Sequence, residues 1–175
     1  MNPTESSAGL KLAWPAGEVP AEVLATLAEI GEEVNASLDV DEVLARTAAL
    51  IKKHIDYEIF GVLLLEEGGA ALRHRFAIGY PPDLAANLRI PLSQGITGTA
   101  AATGHSVRVS DVTRDARYIN AIDSVRSELA VPLMIQGKCI GVLDIQSNHL
   151  DYFTPDQQSI LTMLGSRLAV AIENA

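Results

Sequence analysis

The sequence has a single cysteine, few aromatic residues and no long apolar run, and these shortages exclude several classes of protein. Cys139 is the only cysteine among 175 residues, which excludes an internal disulfide and a multi-cysteine metal site and suits a reducing compartment. The longest uninterrupted apolar stretch, Phe60–Leu65, is far shorter than the roughly 20 residues that span a membrane. The N-terminus lacks the basic and then apolar segments of a secretory leader. We therefore expect a cytoplasmic protein that does not enter a membrane.

Basic residues are also scarce. Thirteen Lys and Arg residues stand against 22 Asp and Glu residues, which gives a net charge of −9. Binding to nucleic acid or to an anionic membrane surface depends on neutralising phosphate groups, so we expect neither partner. With 48% hydrophobic residues, a chain of this length has the composition of one soluble domain with one core.

The N-terminal part is predicted to be a tail followed by two helices. Residues 1–20 mix proline, glycine and polar side chains that break periodicity, and they are predicted to form a flexible tail before a domain that covers 21–175. Apolar residues then recur at helical spacing at Val23, Leu27, Ile30 and Val34. A second helix follows, with Ser37 or Asp39 as its N-cap.

A long helix is predicted at the C-terminus. Thr154 is a suitable cap, Pro155 suits the first helical position, and Gln157 completes a capping box. The apolar seam of this helix runs to Ala175, so we expect it to continue into an output domain or to dock on a partner. Pairing the seam with the first stripe across a two-fold axis predicts a homodimer, formed by Val23, Leu27, Ile30, Val34, Leu161, Leu164, Leu168 and Ala171.

Six short strands are predicted between these helices. They are Ile59–Leu65, Leu72–Ile78, Arg89–Leu92, Ser106–Val109, Glu128–Ile135 and Cys139–Gln146. In the last strand, simple alternation places Ile140 and Val142 on one face and Cys139 and Leu143 on the other. Because the helices are grouped at the two ends rather than alternating with strands, the fold class is predicted to be α+β with an antiparallel sheet.

Five segments, in this order, resemble the GAF family, the small-molecule sensor domains of phosphodiesterases, phytochromes and bacterial signalling proteins. They are Gly95–Gly98, Asp111–Tyr118, Ser127–Leu133, Ile140–Ser147 and Leu168–Ala175. The resemblance covers about Val23 to Ala175. It implies a GAF-like, PAS-related fold with a central six-stranded antiparallel sheet, terminal helices on one face and a ligand pocket under loops on the other.

The pocket implied by this resemblance has several candidate residues. Gly95 and Gly98 let the backbone approach a ligand closely, although they suit a simple tight turn equally well. Tyr118 lies in a polar segment that can act as a lid, and Asp111 can accept from an amine, although isolated charges are more often solvated. Glu128, just ahead of an apolar strand, can be a polar anchor in the pocket, with a strand-end carboxylate that reaches solvent as the commoner alternative. The full candidate set is Phe60, Phe76, Ile90, Gly95, Ile96, Thr97, Gly98, Asp111, Tyr118, Ile122 and Glu128, with core packing as the alternative for the apolar members.

The chain departs from the subfamilies that bind known cofactors. Cyclic-nucleotide-binding members carry a dispersed Asn-Lys-Phe-Asp-Glu set, whereas here His149 replaces the lysine after Asn148. No cysteine stands where bilin-binding members attach their chromophore. The histidines include no pair at helical spacing, so no haem or metal site is indicated and the cofactor stays unknown.

The remaining question is whether the chain is an enzyme. Free methionine sulfoxide reductases, which share the GAF fold, use a nucleophilic and a resolving cysteine, and one cysteine cannot form that pair. We therefore expect a regulatory domain without catalysis, which binds a small molecule and passes the signal through a helical dimer to an output domain. The alternatives are a redox switch or reductase-like enzyme centred on Cys139, and a purely structural dimerisation module.

Overall fold

Six strands form one antiparallel sheet with helical layers on both faces. The computed structural model describes residues 39–119 and 121–175, together with positions 21, 24, 25, 28, 29, 31 and 32, which are helical. The predicted tail at 1–20 and the candidate cap Ser37 lie outside the described residues. So do four predicted dimer residues, Val23, Leu27, Ile30 and Val34.

The predicted strands all form, with small shifts at their ends. The strands are β1 (Ile59–Leu65), β2 (Ala71–Ile78), β3 (Arg89–Pro91), β4 (Val107–Val109), β5 (Ser127–Ile135) and β6 (Lys138–Ser147). Their order in the sheet is β3-β2-β1-β6-β5-β4, and every neighbouring pair is antiparallel. The α+β class and the six-stranded sheet are therefore confirmed.

The helices for which bounds are defined are α1 (Val40–His54), α2 (Pro82–Asn87), α3 (Gly95–Thr103) and α4 (Pro155–Asn174). Asp39 is the N-cap of α1, and its carboxylate accepts a hydrogen bond from the amide of Asp41. The short helix α2 was not predicted; it begins at Pro82, whose missing N–H costs nothing at the first helical position. Within the described part of the chain, no helix has both the length and the apolarity to cross a membrane.

One face of the sheet packs against α1 and α4. The buried residues of this helix-side core include Leu44, Phe60, Val62, Leu129, Val131, Leu143, Ile145, Leu161, Leu164, Leu168 and Ala171. The last four belong to the predicted dimer seam. Because their side chains are buried in the chain's own core, they are not available to a partner, and a dimer would need other surfaces.

The opposite face of the sheet packs against α3 and the segment that follows β4. Its buried residues include Ile59, Leu63, Leu72, Ile90, Ile96, Ala100, Val112, Ala130 and Val142. This second layer is the side on which the resemblance places a pocket.

A bulge in β6 corrects the predicted facing of Cys139. Leu133 pairs with Gly141 and Met134 pairs with Cys139, so Ile140 is an extra residue in its strand. Cys139 consequently packs with the same cluster as Val142, and Ile140 packs on the helix side. Simple alternation predicted the reverse because a one-residue insertion exchanges the faces of all residues before it.

The start of α4 forms the predicted capping box. The Thr154 hydroxyl accepts from the amide of Gln157 at 3.1 Å, and the Gln157 side chain accepts from the amide of Thr154 at 3.0 Å. We expect Thr154→Ala to lower the free energy of unfolding by about 1 kcal/mol, because an amide at the helix start loses its acceptor. Urea denaturation measures this change. Ser159→Ala is the control, since its exposed hydroxyl only donates to the Pro155 carbonyl within the helix; equal losses in both variants would contradict a specific cap.

Candidate functional site

A small cavity lies between the pocket side of the sheet, the start of α3 and the segment after β4. We call Tyr118, Ile119 and Ala121 the lid. The cavity is lined by the lid and by Leu63, Tyr80, Leu88, Ile90, Gly95, Ile96, Thr97, Glu128, Asp144 and Gln146. Its volume of about 30 Å³ is enough for water but leaves little further room. A larger ligand therefore requires the lid to move outward.

Two buried carboxyl groups, Glu128 on β5 and Asp144 on β6, form the polar wall of the cavity. Glu128 is 3% exposed and Asp144 is 1% exposed. Glu128 pairs across the strands with Gln146, which lies two residues beyond Asp144 on the same face of β6. Adjacent strands thus bring two acidic groups together, and we call Glu128 and Asp144 the acid pair.

Asp144 accepts two hydrogen bonds through one of its oxygens. The Tyr80 hydroxyl donates to Oδ2 at 3.2 Å, and the Gln146 amide donates to the same oxygen at 2.6 Å. The Gln146 amide also donates to the Tyr80 hydroxyl at 2.9 Å, which fixes the direction in which that hydroxyl donates. Asp144 Oδ1 is buried and receives no hydrogen bond from any N–H or O–H of the described residues. That oxygen is left for the proton of Glu128 or for a ligand.

The acid pair titrates as a unit, because two carboxylates this close do not readily ionise together. Burial, followed by the charge of Asp144, raises the pKa of Glu128 well above its ordinary value. Burial also raises the pKa of Asp144, but hydrogen bonds from Glu128, Gln146 and Tyr80 act against that rise. Tyr80 stays neutral, since burial and the charge of Asp144 raise its pKa. Loss of one proton from the pair therefore makes loss of the second proton harder.

The N-terminus of α3 also borders the cavity. Gly95, Ile96 and Thr97 line the cavity, and Gln94, the N-cap, makes no side-chain hydrogen bond to the helix. The first amides of a helix have no partner within it and carry a partial positive charge. The residues that line the cavity thus include the acid pair and the first residues of α3, whose amides lack partners within the helix.

Tyr80 reaches the acid pair because of an unusual turn after β2. Gly79 has φ 83°, and a Cβ there would lie 2.3 Å from the Glu58 carbonyl oxygen, so only glycine fits. The His74 ring packs on the Tyr80 ring with centroids 4.5 Å apart. Both contacts hold the phenol over Asp144.

Six predicted site residues line the cavity, namely Ile90, Gly95, Ile96, Thr97, Tyr118 and Glu128. Gly98 lies beside it: a Cβ there would stand 2.7 Å from the Pro91 carbonyl oxygen, so this glycine allows α3 to pack against β3. Ile122 packs with the buried residues on the α3 side of the sheet, and its carbonyl accepts from the Tyr118 hydroxyl at 3.3 Å.

Three other predicted site residues lie elsewhere. Phe60 and Phe76 pack edge to face in the helix-side core, with ring centroids 6.0 Å apart. Their strand positions are on the opposite face from Leu63, which lines the cavity. Asp111 caps the short turn Val112–Arg114 by accepting from Thr113, and it borders a separate open groove.

Sequence reasoning missed several cavity residues. They are Leu63, Tyr80, Leu88, Ile119, Ala121, Asp144 and Gln146. The sequence did indicate Asp144, because charged residues are rare in the middle of apolar strands and buried ones are often found at functional sites. Tyr80 and Leu88 belong to the connection between β2 and β3, and nothing in their local sequence indicates the cavity.

Cys139 stands apart from the acid pair. It precedes Asp144 by five residues on β6, a separation of about 17 Å along an extended strand. Its thiol donates to the Gly141 carbonyl oxygen at 3.1 Å, and burial raises the pKa of the thiol. Cys139 is therefore largely a neutral thiol at neutral pH, and it does not line the cavity.

Two similar proteins are enzymes. The chain is 32% identical over 126 residues to the free methionine-R-sulfoxide reductase of Escherichia coli, a match that covers 71% of this chain and 73% of that protein. The structure of the free methionine-R-sulfoxide reductase of Neisseria meningitidis, solved in complex with its substrate, superposes with a TM-score of 0.77. That match is 31% identical and covers 90% of this chain and 93% of the other.

These relatives correct the expectation that the chain is not an enzyme. That expectation rested on the absence of a second cysteine, which excludes an intramolecular disulfide but does not exclude reductase-like chemistry. The similarity to two reductases over most of their length overturns it.

The family is shown by a family model that matches most of the chain. YtsP of Bacillus subtilis is 35% identical over 98 residues, which cover 56% of this chain and 60% of that protein. The family model described as GAF domain matches residues 37–173, nearly the whole described part of the chain. The resemblance carried by Gly95–Gly98, Ser127–Leu133 and Ile140–Ser147 is thereby confirmed, and the chain belongs to the GAF domain family.

Proposed function

We propose that the cavity binds a free amino acid of the methionine sulfoxide class as a zwitterion. The observation that carries this proposal is that a buried acid pair and a helix N-terminus without a side-chain cap line the same cavity. A carboxylate beside an ammonium group and backbone amides beside a carboxylate are strong, charge-assisted hydrogen-bonding arrangements. The sulfoxide part of the proposal comes from the reductase relatives.

In this proposal each end of the ligand binds a different part of the cavity. The ammonium group donates to Asp144 Oδ1, the buried oxygen that receives no other donor from the described residues. The ligand carboxylate accepts from the amides at Gly95–Thr97. Apolar groups of Leu63, Ile90 and Ile96 contact the side chain of the ligand.

A thermal-shift series tests this recognition. Free methionine sulfoxide is expected to raise the melting temperature, because a ligand that binds only the folded state stabilises it. The N-acetyl derivative lacks the ammonium group and the amide derivative lacks the carboxylate, so we expect neither to stabilise the protein. Equal stabilisation by the N-acetyl derivative would contradict recognition by the acid pair. Free methionine, which lacks the sulfoxide oxygen, measures how much that oxygen contributes.

Ligand entry also supports a sensory role. The cavity of about 30 Å³ leaves little room beyond water, so we expect a ligand the size of methionine sulfoxide to displace the lid. A displaced lid is a change of state that a partner or an output domain can read. Hydrogen exchange at the lid amides, with and without free methionine sulfoxide, measures that displacement.

The reductase relatives favour a second candidate, reduction of the sulfoxide by Cys139. The thiolate attacks the sulfoxide sulfur and the sulfoxide oxygen takes up one proton from solvent. The S–O bond then breaks, the oxygen ends on Cys139 as a sulfenic acid, and the thioether is released. An external thiol then displaces this oxygen as water and forms a mixed disulfide, and a second external thiol restores Cys139. Two external thiols are thus oxidised for each sulfoxide reduced.

Under this candidate, Cys139→Ser is expected to abolish turnover of free methionine sulfoxide in the presence of dithiothreitol. The wild-type rate should rise with pH, because the raised pKa of the thiol keeps the thiolate scarce at neutral pH. Because Cys139 lies about 17 Å from Asp144 along β6, the sulfoxide would be reduced at the beginning of the strand rather than at the acid pair. Turnover unchanged in Cys139→Ser would exclude Cys139 as the reductant.

A further inference from the structure

We propose that Tyr80 and Gln146 are positioning residues that hold the negative charge of the acid pair on Asp144 and leave the shared proton on Glu128. The charge assignment itself needs no ligand; its use in recognising an ammonium group rests on the proposed function.

The asymmetry of the hydrogen bonds carries this inference. Asp144 Oδ2 accepts from both Tyr80 and Gln146, and hydrogen bonds to a carboxylate favour its ionised form. Glu128 is as deeply buried as Asp144, and no N–H or O–H donor contacts its carboxyl group in the described residues outside the acid pair. When two similar buried acids share one proton, the acid that accepts more hydrogen bonds ionises. Glu128 therefore carries the proton and donates it to Asp144.

Other charged and titratable groups near the pair do not reverse this assignment. They are Tyr118 in the lid, Asp115 and Arg117 before it, and His74, which packs on Tyr80. Arg117 is held by Asp115 in a bidentate ion pair with distances of 2.9 and 2.7 Å, so the two charges largely cancel at Glu128. The Tyr118 hydroxyl donates to the Ile122 carbonyl, away from the acid pair.

This arrangement gives the cavity one negative charge of fixed position. Asp144 Oδ1 is buried and accepts from no described N–H or O–H, so in this proposal it stays available to a ligand as a carboxylate oxygen, and Glu128 is its neutral neighbour. Such a wall matches a single ammonium group, and it penalises a neutral ligand, because burying an unpaired carboxylate is costly. Tyr80 and Gln146 thereby favour ligands that carry an ammonium group, because their hydrogen bonds keep Asp144 ionised.

An NMR titration of labelled Glu and Asp carboxyl carbons in the ligand-free protein tests the assignment. In the wild type we expect one Glu carboxyl carbon to keep the chemical shift of a protonated acid at neutral pH. This resonance should be absent from the spectrum of Glu128→Gln, which assigns it to Glu128. Tyr80→Phe should raise the proton affinity of Asp144 about tenfold, the size of a lost hydrogen bond to a charged group. Gln146→Met removes the second donor and should shift Asp144 in the same direction. A protonated Asp144 at neutral pH in the wild type would overturn the proposal.

Tyr118→Phe is the matched control, since this phenol also lines the cavity but does not donate to the acid pair. It should leave the titration of Asp144 unchanged, and an equal shift in both tyrosine variants would overturn the proposal. The titration uses no ligand, so a failure of amino-acid binding leaves its result intact. If binding occurs, the affinity for free methionine sulfoxide should decrease as the pH is lowered, because Asp144 becomes protonated. In Tyr80→Phe this decrease should begin at a higher pH than in the wild type.

Discussion

Asp144→Asn is expected to lower the affinity for free methionine sulfoxide by at least about 30-fold, because removing one partner of a buried charge pair costs about 2–5 kcal/mol. The amide keeps the size of the side chain but carries no charge for the ammonium group. Isothermal titration calorimetry measures the change. The variant should fold at least as stably as the wild type, because Asp144 is 1% exposed and a buried carboxylate is costly to the folded state.

Glu128→Gln is the matched control for this prediction. Glu128 lies in the same wall and is just as buried, but it is already neutral when the pair shares one proton. Glutamine resembles the protonated acid, so the affinity should stay within about threefold. Equal losses in the two variants would contradict a charge located on Asp144. Retention of full affinity in Asp144→Asn would remove the acid pair from ligand binding altogether.

Phe60→Ala is expected to have the largest effect on stability, a loss of about 3–5 kcal/mol in the free energy of unfolding. Phe60 is fully buried and packs against Tyr57 and Phe76, with ring centroids 5.3 and 6.0 Å away. Because the ring lies on the helix side of the sheet, the folded fraction should bind free methionine sulfoxide with nearly wild-type affinity. Urea denaturation and calorimetry on the same sample measure the two effects.

Ile90→Val provides the comparison from the other face. Ile90 is 5% exposed and lines the cavity, so removal of one methyl group should cost only about 0.5–1.5 kcal/mol of stability while changing the affinity. Phe60→Leu keeps most of the buried volume and serves if the alanine variant does not fold. A large loss of affinity in folded Phe60→Leu would show that the helix-side core determines the shape of the cavity.

Local sequence patterns predicted the helix caps and strands well, because the formation of these elements depends mainly on residues that are close in sequence. The capping box at Thr154 and the strands Ile59–Leu65 and Glu128–Ile135 follow from spacing and residue type alone. The facing of Cys139 was predicted wrongly because the bulge at Ile140 depends on how β6 pairs with β5. No pattern within a single strand shows where its partner will skip a residue.

The site was predicted only in part because its chemistry comes from distant segments. The GAF resemblance indicated Gly95, Thr97 and Glu128 as candidates, and they line the cavity. Tyr80 contacts Asp144 across 64 positions of sequence, through a turn that only the folded sheet brings near β6. Pairing and topology, rather than periodicity, therefore decide which polar residues meet.

The most direct test of ligand recognition is a calorimetric titration of free methionine-R-sulfoxide into the wild-type chain. We expect saturable binding of one molecule per chain that is lost in Asp144→Asn and kept in Glu128→Gln. Heats of the wild type that cannot be distinguished from those of Asp144→Asn would contradict the proposal that the acid pair and the start of α3 recognise a free amino acid.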